Sequence, residues 1–330
     1  MKKNISFILI IALISIVLVG CGFNFLDREA DFKVRYFVDG EIYATQNVHL
    51  GDVPAMPKDP QMENLIFVGW YENTSNETYD FSKKVYKDIE LHAKFVIDAI
   101  SLSRFINSQA IKSVVTIENK SNNASIGGLL ETEALLSQGS GVIVSVSAGY
   151  CYVLTNYHVV EIKNNYSKQK LTVRDSWGNE YEATVYQGKS GNTPAISEEY
   201  DLALLRFKYS SSDEERQLSA ITMAQNDARV GDYVVSIGTP KGLQNIVSYG
   251  VLISFGKVNI AGDEDESTSV DFDIINHNAH IDHGSSGGAL VDINGQLIGI
   301  NFAGQEDISR GCAIPISKVK EFLSQYPFIK

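Results

Sequence analysis

The 330 residues are 44% apolar and 21% charged, a globular composition that excludes a disordered chain and allows a large core plus a smaller module. A formal net charge of -12 argues against nucleic acid or anionic lipid as the main partner. Without residues 1–20, whose only charges are Lys2 and Lys3, it becomes -14.

Met1-Lys2-Lys3 precedes an apolar run from Phe7 to Val19, which meets Gly20-Cys21. A basic start, a short apolar run and a small residue at the exit describe a secretory signal. The run is short of the roughly 20 apolar residues that span a bilayer. Leu18-Val19-Gly20-Cys21 resembles the lipobox of bacterial lipoproteins. The resemblance implies a signal over 1–20 and an acylated Cys21 that opens a tether over 21–30. An uncleaved N-terminal anchor is the alternative, and either one expects the outer face of a bacterial cell membrane. Acyl chains contribute about 0.8 kcal/mol per buried methylene, so a multiply acylated Cys21 would hold firmly.

From Asp31 to Phe95 the pattern predicts strands. Phe32, Val34 and Tyr36 alternate with Lys33 and Arg35, Asp39-Gly40 supplies a tight turn, and Ile89, Leu91, Ala93 and Phe95 alternate again. Between them stand Gly51-Asp52-Val53-Pro54, Phe67-Val68-Gly69-Trp70-Tyr71 and Tyr79-Asp80-Phe81-Ser82. On these stretches residues 31–96 resemble the Listeria–Bacteroides repeat, a small β-grasp-like module of bacterial surface proteins. Such repeats usually come in arrays, so a single copy favours a plain spacer over an adhesive module.

Residues 97–112, with Ile100, Phe105 and Ile106, predict a short helix. Short apolar runs then recur at 113–117, 141–146, 152–155, 202–207, 233–237, 251–255 and 297–302, punctuated by Gly, Asn and Asp. Many short strands set off by turns predict an all-β barrel or sandwich over 97–330, and a mainly β chain. Polar stretches at 118–138, 186–199 and 257–270 read as surface loops, with Asp263-Glu264-Asp265-Glu266 as a solvated tip rather than a calcium site. Ser317 is placed to cap a final helix that buries Val319, Phe322 and Leu323.

A serine hydroxyl hardly ionises at neutral pH, so a nucleophilic serine needs a base of fixed tautomer and backbone donors for the oxyanion. Gly284-Ser285-Ser286-Gly287-Gly288-Ala289-Leu290 offers such a turn. Gly284 lets the backbone turn its N–H inward, and Gly287 and Gly288 are expected to leave room for substrate. Alone, the segment also fits a flexible turn. Thr155-Asn156-Tyr157-His158-Val159-Val160 ends one apolar strand and Asp201-Leu202-Ala203-Leu204-Leu205 opens another. A lone His or Asp at a strand end is ordinary. The order His, Asp, Ser on separate strands is that of chymotrypsin-like barrels, and differs from subtilisins and α/β-hydrolases.

The region from Ser113 to Leu323 resembles the HtrA/DegP branch of chymotrypsin-like proteases. The stretches are Gly139-Ser140-Gly141-Val142-Ile143, Thr155–Val160, Asp201–Leu205, Val230-Gly231-Asp232, Ile237-Gly238-Thr239-Pro240, Gly284–Leu290, Leu297-Ile298-Gly299-Ile300-Asn301 and Ala313-Ile314-Pro315. The resemblance implies a double β-barrel with His158 as general base then acid, Asp201 orienting it and Ser286 attacking. It also implies an oxyanion hole from the N–H groups of Gly284 and Ser286. Protein or peptide substrates, in exposed or misfolded extracytoplasmic proteins, follow from the same resemblance. No cofactor and no nucleic acid are expected, and a homo-oligomer is left open. The competing reading is a cell-surface binding or adhesion protein that uses the protease fold as a scaffold; intact His158, Asp201 and Ser286 argue against it.

Three departures stand out. Ser285 occupies a position where the branch usually has Asn and digestive proteases have Asp, so activation by a newly cut N-terminus is not expected. The chain ends after the protease-like region, so the PDZ domain typical of HtrA proteins is not expected either. The stretch His277-Asn278-Ala279-His280-Ile281-Asp282-His283 is rich in histidine. Alternation sets His280 opposite His277 and His283, which weakens a metal site, and no metal is assigned. His280 or His283 lining the substrate pocket competes with a plain surface position. Cys151 and Cys312 read as buried thiols, with a disulfide left open by an extracellular location.

Overall fold

The structure, a computed structural model, describes residues 31–329 except 74, 125–130, 163–166, 189–190, 192, 211–216, 240–245, 258–269 and 306–309. The signal segment, Cys21, the tether and Asp263–Glu266 lie outside the described residues. The chain divides into two compact units that part between Ala99 and Ile100.

The first unit is one sheet of β1 (Phe32–Val38), β2 (Glu41–Val48), β3 (Leu65–Glu72) and β4 (Ile89–Ile97). Asp39 and Gly40 both take positive φ, 48° and 80°, the type I′ geometry that joins two twisted strands in two residues. The order is β2-β1-β4-β3, with β1 and β4 parallel at the centre and antiparallel partners outside. That is a β-grasp sheet, although the crossover at 49–64 carries no helix. The alternation has its physical cause in one buried face, where Val34, Tyr36, Trp70, Val85 and Leu91 pack together. Tyr36 meets Trp70 edge to face, with centroids 5.0 Å apart.

The second unit opens with α1 (Ala99–Ser108), whose buried side chains are Leu102 and Ile106, while Ile100 is exposed. Six strands then close the first barrel: β5 (Val114–Ala124), β6 (Glu131–Ser147), β7 (Tyr150–Thr155), β8 (Ser167–Arg174), β9 (Glu180–Val185) and β11 (Leu202–Lys208). β10 (Ile196–Ser197) adds to the edge of β11. A short helix, α2 (Tyr157–Val160), leaves the end of β7.

The second barrel is β12 (Tyr233–Gly238), β13 (Ile246–Gly256), β14 (Ile274–His277), β15 (Ala289–Val291), β16 (Leu297–Gln305) and β17 (Arg310–Pro315). It closes in the order β12-β13-β14-β17-β16-β15. Each barrel has its own core, Ile117, Ile143, Val153, Leu205 and Phe207 in the first and Val234, Leu252, Ile275, Leu290 and Ala313 in the second. The pair of six-stranded barrels is the chymotrypsin-like fold.

Two expectations are corrected. Most of 118–138 is strand, because β5 and β6 stay paired from Val114↔Val142 out to Ala124↔Glu131. Their polar sequence lacks the alternation that a half-buried strand shows. Ser317 does not cap the last helix, α3 (Ile316–Leu323). Pro315 holds the cap position, and the Ser317 N–H donates instead to Asp227 Oδ1 at 2.9 Å. Val319, Phe322 and Leu323 are buried as expected. Among the described residues no helix is long and apolar enough to cross a membrane.

Candidate active site

Strand β7 delivers His158 and strand β11 delivers Asp201. The two strands are hydrogen-bonded neighbours, with Thr155 opposite Ala203, so their ends carry the two side chains to the same rim. Asp201 sits in the left-handed region at φ 49°, a conformation that Asp and Asn tolerate better than most residues. It is 3% exposed. Its carboxylate takes His158 Nδ1 at 2.8 Å from Oδ2 and the His158 N–H at 3.1 Å from Oδ1. Its carbonyl accepts the Tyr157 N–H at 3.1 Å and Asn156 Nδ2 at 2.9 Å. Asp201 thereby fills the orphan donors at the start of α2 and holds the imidazole with the same side chain. An acceptor on Nδ1 fixes the tautomer of neutral histidine, leaving Nε2 with its lone pair.

The far end of α2 is tied down by residues that sequence reasoning passed over. Asn119, fully buried on β5, donates through Nδ2 to Val159 O at 3.2 Å and Glu161 O at 3.0 Å. Ser137 Oγ donates to Val159 O at 2.6 Å, and Gln169 Nε2 to Val160 O at 2.6 Å. These polar residues lie in strand segments without apolar alternation, and their signal is the satisfaction of helix-end carbonyls that have no intrahelical partner.

Ser286 rides the loop between β14 and β15. Asp282 and Ser285 close a turn, Ser285 N–H to Asp282 O at 2.9 Å and Asp282 N–H to Ser285 Oγ at 3.2 Å. Gly284 takes φ 95° and Gly287 φ 81°. A Cβ at Gly287 would stand 2.1 Å from Ser140 O and 2.3 Å from Thr155 Oγ1. One at Gly288 would stand 2.5 Å from Ile237 O. The space expected for substrate at these two glycines is therefore filled by the protein's own backbone. Neither the Gly284 nor the Ser286 N–H donates to a partner among the described residues, whereas Gly287 N–H reaches Asn301 O at 2.7 Å and Gly288 N–H reaches Ser285 O at 2.9 Å. Two unoccupied donors on either side of Ser285 suit an incoming anion. Ser286 Oγ donates to Phe302 O over a long 3.3 Å.

The three histidines of 277–283 separate. His280 and His283 are exposed, and His277 is fully buried on β14 with its ring against the backbone of Gly311. Neither ring nitrogen of His277 makes a hydrogen bond of ordinary geometry. Burial holds its pKa down from 6.5 to about 4, offset in part by Asn301 and the Ala279 backbone. The unfolded chain takes up this proton near pH 6.5 and the folded chain only near pH 4, so stability is lost as pH falls through that window. The expected loss is about 3 kcal/mol by pH 4. Urea unfolding at pH 7 and pH 4 should show a smaller acid loss in His277→Phe by about that amount; equal losses would exclude the assignment.

Cys151 on β7 and Cys312 on β17 are buried free thiols in separate barrels. Burial pushes both thiols up, Cys312 to about 11, so neither offers a thiolate at neutral pH.

Two family models match parts of the chain. Residues 139–300 match the trypsin-like peptidase domain, and residues 32–94 match the Listeria-Bacteroides repeat domain. The periplasmic serine endoprotease DegP of Salmonella typhimurium is 36% identical over 208 residues, 62% of this chain and 38% of that protein. The periplasmic pH-dependent serine endoprotease DegQ of Escherichia coli K12 is 34% identical over 194 residues, 57% of this chain and 36% of that protein. The chain thus spans little more than a third of the length of these relatives. The crystal structure of an M. tuberculosis protease in its active form covers 67% of this chain and 83% of its own, at 22% identity and a TM-score of 0.49. The chain is thus similar to the trypsin-like peptidases over 139–300 and to DegP, behind a stretch similar to the Listeria-Bacteroides repeat domain.

Proposed function

We propose that this chain is a serine endopeptidase, lipid-anchored through Cys21 on the outer face of the bacterial cell membrane, that cleaves exposed or misfolded proteins. The observation that carries the chemistry is the His158 Nδ1–Asp201 Oδ2 contact of 2.8 Å, made by a carboxylate that also anchors the His158 backbone. In the proposed cycle Ser286 Oγ leaves its long bond to Phe302 O, gives its proton to His158 Nε2 and attacks the scissile carbonyl. The oxyanion takes the N–H groups of Gly284 and Ser286. His158 then passes the proton to the leaving amine, and water repeats the sequence on the acyl-enzyme. The periplasmic DegP and DegQ relatives support the extracytoplasmic setting and the protein substrates. His280 and His283, exposed beside the turn that carries Ser286, are proposed to border the substrate cleft.

A fluorophosphonate probe tests the reading. Labelling should occur at Ser286, and its rate should fall in acid, where a protonated His158 no longer takes the Ser286 proton. A folded protein that does not label would remove the enzyme reading; a rate flat from pH 5 to 8 would remove His158 as the base.

A further inference from the structure

We propose that Ser140 is the positioning residue of the oxyanion hole, clamping the carbonyls of both residues whose amides form it. The proposal rests on the reading of Ser286 as nucleophile.

Ser140 lies on β6, fully buried, where the first barrel meets the loop of the second. Its N–H donates to Ser286 O at 2.7 Å, and its Oγ–H donates to Gly284 O at 2.7 Å. Its own carbonyl accepts Thr155 Oγ1 at 2.7 Å, three residues before His158. The hydroxyl also accepts the Thr239 N–H at 2.9 Å. A hydroxyl has one proton to give. The shorter contact, to Gly284 O, receives it in preference to Thr239 Oγ1 at 3.1 Å, which has an alternative acceptor in Gly139 O at 3.3 Å. Every polar group of Ser140 is engaged, and the engagements run to both halves of the site.

Geometry explains why this matters for the oxyanion. Gly284 has no Cβ to restrict it and sits at φ 95°. The 284–285 peptide is held on one side by Ser285 N–H to Asp282 O, 2.9 Å, and on the other by the Ser140 hydroxyl. With that plane fixed, the Gly284 N–H can turn away from the oxyanion only by rotation of the 283–284 peptide about the two bonds at the Gly284 Cα. Without the hydroxyl, both peptide planes flanking Gly284 loosen. Ser286 keeps its clamp, because the Ser140 amide survives any side-chain change.

The test compares wild type and Ser140→Ala on a fluorogenic peptide, with affinities for a peptide boronate, which forms a tetrahedral adduct, and for the cleaved product peptide. Expected is a fall in kcat of about 10- to 100-fold, short of the 10²- to 10³-fold cost of removing a donor outright. KM and product affinity should stay within about threefold, and boronate affinity should weaken in step with kcat. A destabilised but merely structural residue would not split boronate from product. If the alanine variant does not fold, Ser140→Cys keeps the volume with a weak S–H donor and carries the same expectation. Wild-type kcat in a folded variant, equal losses of boronate and product affinity, or failure of both variants to fold would each overturn the proposal. A wild type that neither labels nor cleaves would instead defeat the reading of Ser286 itself.

Discussion

Ser286→Ala should abolish peptide cleavage, with kcat down by about 10⁶-fold, while leaving the fold in place. Among the described residues the Ser286 side chain hydrogen-bonds Phe302 O at 3.3 Å, so its loss removes a weak hydrogen bond and little buried surface. The backbone of the turn is held independently. Ser286 O accepts the Ser140 N–H at 2.7 Å, and the Gly287 N–H reaches Asn301 O at 2.7 Å; neither depends on the hydroxyl. Unfolding free energy should therefore move by no more than about 1 kcal/mol. Residual turnover above the uncatalysed rate is expected, because the donors at Gly284 and Ser286 remain and still favour the tetrahedral state. Steady-state kinetics on casein and a short peptide, with urea unfolding alongside, make the check. Cleavage within tenfold of wild type by a folded variant would mean another nucleophile.

How far the sequence reaches can be seen residue by residue. The Asp39-Gly40 turn and the alternation of Val34 and Tyr36 are legible because one face of a small sheet must be buried and the other wetted. In the barrels, the strands found by pattern are those with long apolar runs, such as Leu202–Phe207. The strands missed fail for two reasons. β8 and β9 present Lys170, Arg174, Glu180 and Glu182 on their outer face, which dilutes the signal of Leu171, Val173, Tyr181 and Ala183 inside. β14, β15 and β17 are short and buried on both faces, so they show no alternation.

At the candidate site, His158, Asp201 and Ser286 could be nominated because strand-end polar residues and a glycine-rich turn leave local marks. Ser140, Asn119 and the burial of His277 could not. Ser140 gains its partners 99, 144 and 15 residues away, at Thr239, Gly284 and Thr155, and only closure of both barrels brings them together. Strand alternation set His277 and His283 on one side. The chain leaves β14 at His277, after which alternation has no meaning, and the two histidines end in opposite environments.

Asp201→Asn should lower kcat by about 10⁴-fold with almost no change in stability, and the contrast between the two readouts is the point of the variant. The stability half follows from the backbone. Asparagine accepts the left-handed φ of 49° as readily as aspartate, and the main-chain carbonyl that holds Tyr157 and Asn156 is untouched. The activity half follows from hydrogen-bond polarity. A carboxylate only accepts, and here it takes both the His158 N–H and Nδ1. An amide has a single accepting oxygen. If that oxygen stays on the His158 N–H, the NH₂ group faces Nδ1 and must donate to it, which moves the ring proton to Nε2. An imidazole protonated at Nε2 has no lone pair for the Ser286 proton. Flipping the amide to serve Nδ1 would set its NH₂ group against the His158 N–H and uncap the start of α2, so the first arrangement is the one expected. Proton transfer from Ser286 then slows without opening the barrel. Fluorophosphonate labelling should slow in step with kcat, since that reaction also needs the Ser286 proton removed. Labelling and cleavage both within tenfold of wild type would show that Asp201 anchors α2 and does no more.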